Sequence, residues 1–204
     1  MTARYAVLLD GAFVYRRLKS TLGRSPGSKE ILALSERIGR LLEFQGRELL
    51  RVFYYDSPPA MGSIKNPIDG SVVNLGRTET HVRAWKLLDE LELSANVALR
   101  IGEISVHGWQ LRSQALEEIS RTGRSVRASD LAPDIEQKGV DLRIGLDIAR
   151  LSLARLVDAI VVLTGDSDMV PAFKFARREG VRVYLDHLGA PVKRELKAHV
   201  DVVL

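Results

Sequence analysis

The chain has 204 residues, 46% apolar and 27% charged, with 30 Lys and Arg against 26 Asp and Glu for a formal charge of +4. That length buries a full core and reads as a single α/β domain over residues 1–204. The absence of cysteine excludes disulfides, thiolate metal sites and cysteine nucleophiles. His81, His107, His187 and His199 lack the close spacing of a zinc site, so any metal would be held by oxygen, which favours Mg²⁺ or Mn²⁺. No apolar stretch is long enough to span a membrane and the N-terminus has no apolar signal core, so no membrane partner and a cytoplasmic location are expected. The mild basic excess suits a polyanionic partner without requiring one.

Strand and helix patterns alternate along the chain. Residues 4–10 form an apolar run that closes on Asp10, followed by a helix carrying Tyr15, Leu18 and Leu22. A second helix over 28–45 places Ile31, Leu34, Ile38, Leu41 and Leu42 at helical spacing. Residues 48–55 read as strand two, and 57–76, rich in Pro, Gly, Ser and Asn, as a long functional or disordered loop. A helix over 77–93, with Trp85 on its core face, leads to a strand over 97–106. Residues 107–137 give only a short helix near 114–120 and a basic stretch with Arg121, Arg124 and Arg127. From Lys138 the order is helix, strand, helix, strand, with Gly180 as a helix C-cap and 181–185 as the strand after it. A helix near 190–199 and a short strand within 200–204 finish the chain. The fold class is α/β, a three-layer sandwich around a mostly parallel sheet.

Asp10 and Asp166 each follow a run that reads as a buried parallel strand. The crevice beyond the carboxyl ends of such strands is the usual ligand site of an open α/β sheet. Asp141 lies three, seven and ten residues before Ile144, Ile148 and Leu151, so it shares their core-facing stripe at the rim of the sheet. Several carboxylates gathered there repel one another unless a cation lies between them, and a divalent metal is the natural candidate. Asp147 is turned about 120° from Asp141 at 3.6 residues per turn. It reads either as a further ligand or as a surface ion pair with Arg143 or Arg150. Asp168 reads either as a ligand or as the N-cap of the helix through Pro171.

Asp10-Gly11, Lys138-Gly139-Val140-Asp141 with Asp147, and Gly165-Asp166-Ser167-Asp168 together resemble the NYN domain, a branch of the PIN-like nucleases, and most of all its bacterial LabA-like (DUF88) group. The resemblance spans nearly the whole chain. It implies a metal-dependent endoribonuclease in which Asp10, Asp141, Asp166 and Asp168, with Asp147 as a further member, hold Mg²⁺ or Mn²⁺. Metal ions in such a site orient the phosphodiester and lower the pKa of a bound water. Hydrolysis leaving a 5′-phosphate is the implied outcome. The chain departs from the family at Phe13, where members often carry Asn. That departure opens the alternative of a catalytically inactive RNA-binding or regulatory module of the same fold.

Lys138 reads as a phosphate contact or a solvated lysine, and Ser167 joins it as a substrate-binding candidate. Arg112, Arg121, Arg124 and Arg127 would track an RNA backbone or form a solvated face. Trp109 and Tyr55 are candidates for base stacking, with at most one of Tyr54 and Tyr55 free of the core. Asp56 would join the acids at the strand ends. A homodimer would suit a small nuclease on a long substrate. A haloacid-dehalogenase phosphatase is excluded because Ala12 stands where its second Asp is needed, and dinucleotide binding because no Gly-x-Gly-x-x-Gly follows the first strand.

Overall fold

In the computed structural model, which describes residues 2–204, the chain divides into two compact units. One comprises the chain up to Asp56, Leu87–Gly102 and Gly139–Leu204; the other comprises Ser57–Lys86 and Glu103–Lys138.

The first unit is built on β1 (Arg4–Asp10), β2 (Glu48–Asp56), β5 (Val97–Ile101), β8 (Ala159–Leu163), β9 (Arg182–Asp186) and β10 (Val202–Val203). They form a six-stranded sheet in the order β10-β9-β8-β1-β2-β5, with every pairing parallel. β1 shows why the sheet needs helices on both faces: Tyr5, Val7 and Leu9 are buried on one side, Ala6 and Leu8 on the other. Helices α1 (Gly11–Leu22) and α2 (Ser28–Gly39) cover the first face through Phe13, Val14, Ile31, Leu34 and Ile38. Leu87, Leu88 and Leu91 of α3 (Glu79–Glu92) join them. Helices α5 (Val140–Leu153) and α6 (Val170–Arg178) cover the second face through Ile144, Ile148, Leu151, Phe173 and Ala176. The short α7 (Arg194–Ala198) adds Leu196.

The second unit contains an antiparallel ribbon of β6 (Glu103–Leu111) and β7 (Leu131–Lys138), a small hairpin of β3 (Ser63–Lys65) and β4 (Val72–Asn74), and helix α4 (Ser113–Thr122). The indole of Trp109 donates to the Lys65 carbonyl at 2.9 Å. Arg124 grips Asp130 through both terminal nitrogens, at 2.7 and 2.9 Å, and Glu118 at 2.9 Å.

Several elements differ from the sequence reading. The helix expected over 28–45 ends at Gly39, and a 3₁₀ turn, Leu42–Phe44, then seats Phe44 in the core. The strand expected over 97–106 is two strands meeting at Gly102: β5 belongs to the parallel sheet, β6 to the ribbon. The region 57–76 is a hairpin with a 3₁₀ turn rather than a structureless loop. Trp85 is 45% exposed, not core. Tyr54 and Tyr55 are both fully buried, because a parallel sheet covered on both faces leaves neither side of β2 open.

Candidate functional site

The strand order reverses direction between β1 and β8: β2 and β5 extend one way from β1, β9 and β10 the other way from β8. A crevice opens beyond the strand ends at such a switch point. Leu9 pairs with Leu163 in register, so Asp10 and Thr164 are the first residues past that last pair. Thr164 donates its hydroxyl to Asp10 Oδ2 at 3.0 Å, directly across the switch point. The other oxygen, Oδ1, accepts the Phe13 amide at 3.1 Å and caps α1. Gly11 is required here. A Cβ at that position would lie 2.5 Å from the Tyr55 carbonyl oxygen and 2.8 Å from the Tyr54 ring.

Asp166 follows β8 and accepts the Asp168 amide at 2.9 Å, so Asp166, not Asp168, caps the 3₁₀ turn Ser167–Met169 that enters α6. Pro171 sits in the first turn of α6, where its missing N–H costs nothing. Asp168 is thereby released from the capping role and stands exposed at the rim, with Ser167 half-buried beside it. Asp141 lies in the first turn of α5.

These four acids form one electrostatic group. Partial burial raises the carboxyl of Asp141 above the ordinary range, and the charges of Asp166, Asp10 and Asp168 raise it further. Asp10 is also raised, first by burial; the Phe13 amide, the Thr164 hydroxyl and Arg16 oppose that shift and Asp166 adds to it. Asp186 shows the contrast. Buried Asp186, which pairs with Leu163 in the same row, is ion-paired to Arg37. Asp141 meets only acids, and among the described residues nothing donates a hydrogen bond to it.

Asp147 is placed elsewhere. Its Oδ2 accepts the Tyr55 hydroxyl at 2.9 Å and Arg100 Nε at 2.7 Å. The partner is a residue of β5 rather than Arg143 or Arg150, because Asp147 faces the row in which Asp10, Tyr55 and Arg100 lie side by side across three strands. Arg100 in turn lies over the Phe53 ring, 5.0 Å from its centroid. Burial and the Asp147 charge push the Tyr55 hydroxyl well above its usual range, so it stays a donor. Asp56, at the end of β2, accepts the Tyr54 hydroxyl at 3.2 Å. Lys138 ends β7 in the second unit, ion-paired with Glu136 at 3.4 Å. Arg124 is committed to Asp130 and Glu118, which removes it from the basic track suggested by the sequence.

Two site residues escaped sequence reasoning. Thr164 closes an apolar run and looks like its last member. Arg16, six residues on in α1, belongs to no motif, and only the structure shows its charge acting on Asp10. Phe13 packs its ring against Gly165. A Cβ on that glycine would lie 2.7 Å from the ring. The phenyl therefore supports the turn that carries Asp166.

Among the described residues, no three His, Asp or Glu side chains stand close enough together to form a ready-made metal cage. The donor set nonetheless fits a hard divalent cation. It is all carboxylate, it is poor in compensating charge, and Mg²⁺ commonly binds through one or two carboxylates while keeping several waters.

A six-stranded parallel sheet flanked by helices, with acids at its switch point, defines a PIN-like α/β protein. Residues 4–203 match the NYN domain. The chain belongs to the NYN family of PIN-like nucleases. A protein of unknown function from Vibrio parahaemolyticus RIMD 2210633 shares the fold with a TM-score of 0.50 and 14% identity, over 100% of this chain and 92% of that one. The nicotinamidase from Staphylococcus aureus aligns with a TM-score of 0.34 and 12% identity, over 98% of this chain and 90% of that one, and nothing about chemistry follows from so loose a likeness. Comparison with curated proteins gives no match. Among the described residues no helix is long and apolar enough to cross a membrane.

Proposed function

We propose that this chain is a metal-dependent endoribonuclease whose metal centre is formed by Asp10, Asp141, Asp166 and Asp168. The observation that carries the reading is Asp141, a carboxylate in the first turn of α5 raised first by burial and then by the charges of Asp166, Asp10 and Asp168, with no ion-pair partner among the described residues. A bound Mg²⁺ or Mn²⁺ would supply Lewis-acid activation of water and neutralise charge on the phosphodiester. Thr164 fixes one oxygen of Asp10 and the Phe13 amide the other, so that carboxylate is held in a single orientation. Asp166 is fixed through the Asp168 amide. Arg16 and Ser167 are assigned to the substrate phosphates, Arg16 because its charge already offsets Asp10, and Lys138 of the second unit is proposed separately as a phosphate contact. Asp147 stands outside the cage and holds α5 to the sheet through Tyr55 and Arg100.

The wide spacing of the acids favours a second reading, an RNA-binding module that does not cut. One experiment separates the two: labelled single-stranded RNA incubated with wild type or Asp166→Asn in Mn²⁺, Mg²⁺ or EDTA. Cleavage that needs metal and is lost in the variant supports the nuclease. Binding without cleavage in every metal supports the module.

A further inference from the structure

We propose that the end of α6 farthest from the aspartates is a second RNA-binding site, gripping the backbone of a strand whose scissile phosphate lies at the acids. The proposal rests on the ribonuclease reading and names how that site holds a long substrate. Where α6 meets β9 there is an open cavity of about 660 Å³ whose lining includes Lys174, Arg177, Arg178 and Arg182 against a single carboxylate, Asp201. Asp201 does not neutralise the group. One oxygen accepts the Val183 amide at 2.8 Å, and the other holds Arg177 Nε at 2.9 Å. Arg177 is thus fixed in place while its two terminal nitrogens have no protein partner among the described residues. Lys174 and Arg178 make no ion pair among the described residues, and Arg182 lies over the Tyr184 ring at 5.8 Å.

Basic residues in the last turn of a helix favour its dipole, which accounts for Arg177 and Arg178. It does not account for Lys174, a turn earlier, or for Arg182, which comes from β9. Their arrangement does have a common direction. Pro171, Lys174 and Arg178 are all exposed at spacings of three and four, so they share one face of α6. That face begins just after Asp168 and ends at the cavity, about 13 Å along the helix at 1.5 Å per residue. The cations on it, Lys174 and Arg178, stand about 6 Å apart along the helix at 1.5 Å per residue, and with Arg177 and Arg182 they suit the phosphates of a single strand better than one small anion. Among the described residues no large apolar side chain is exposed between Val170 and Arg182, so nothing on this face would enter a bilayer.

The test is fluorescence anisotropy of a long labelled single-stranded RNA in EDTA, where no cleavage is read. Wild type is compared with Lys174→Ala/Arg178→Ala/Arg182→Ala, all exposed positions, and with a control, Lys19→Ala/Lys29→Ala/Arg40→Ala, which removes the same three charges from exposed positions elsewhere. Each lost phosphate contact removes about 0.7 from the slope of log affinity against log salt, so the triple variant should lose about 2 from the slope and about tenfold or more in affinity, with the control near wild type. An oligonucleotide too short to reach the cavity should bind both proteins alike. Unchanged affinity and slope in the triple variant would overturn the site, as would wild type binding polyglutamate as tightly as RNA. If the affinity results hold while wild type cuts no RNA, the second site stands and the nuclease reading falls.

Discussion

Removing Asp147 should destabilise the protein through two specific bonds, and the size of the loss follows from their geometry. The Asp147 side chain is 15% exposed and accepts from Tyr55 and Arg100 at 2.9 and 2.7 Å. Hydrogen bonds to a charged group contribute about 1.5–3 kcal/mol, and an orphaned buried donor costs about 1–3 kcal/mol. Tyr55 is fully buried and would be orphaned. Arg100, 35% exposed, turns to water at little cost. Asp147→Ala should therefore cost about 2–3 kcal/mol, a fall in Tm of roughly 5–10 °C for a chain of this size. Tyr55→Phe alone should cost about 1–2 kcal/mol, yet be neutral or stabilising once Asp147 is gone. The double-mutant cycle, read by urea denaturation, should give a coupling of about 1–2 kcal/mol. Additive losses, combined with a variant that no longer responds to Mn²⁺, would refute the anchoring role and return Asp147 to the metal.

Asp141→Asn should raise Tm near neutral pH. Its carboxyl is raised in the folded protein, so the charged form is penalised above that folded pKa; the gain should shrink as pH falls until wild-type Asp141 is itself protonated, and pH-dependent thermal denaturation measures it. Mn²⁺ at a hundredfold excess over its Kd should stabilise wild type by about 2.7 kcal/mol and Asp141→Asn by much less, a comparison open to differential scanning fluorimetry. Gly165→Ala should cost about 1–3 kcal/mol because its methyl meets the Phe13 ring, and Phe13→Leu should recover part of that loss in chemical denaturation.

The parallel sheet and its acids were readable because buried strands are uninterrupted apolar runs and the acids stand at their ends: β1 stops at Asp10, and β8 is followed at once by the Asp166 turn. The ribbon was not. β7 reads Leu-Ala-Pro-Asp-Ile-Glu-Gln-Lys, contains a proline and is nowhere fully buried, so it lacks both the run and the clean alternation that mark strands. The break at Gly102 was hidden because apolar residues continue on both sides while their pairing partners change. Asp147 was misplaced among its helical neighbours because its partners come from β2 and β5, 92 and 47 residues away in sequence. The sequence leaves Asp168 open as a ligand or as the N-cap, since both acids sit before the helix, and only backbone geometry gives the cap to Asp166.

The most direct test of the account is single-turnover cleavage of labelled RNA by Asp141→Asn in saturating Mn²⁺. Asp141 has no hydrogen-bond or ion-pair partner among the described residues, so its loss removes charge without removing a structural bond. The account predicts a protein at least as stable as wild type that cuts RNA about a hundredfold or more slowly, a barrier about 2.7 kcal/mol higher. Wild-type cleavage by this variant would contradict the claim that the four acids at the switch point are the catalytic centre.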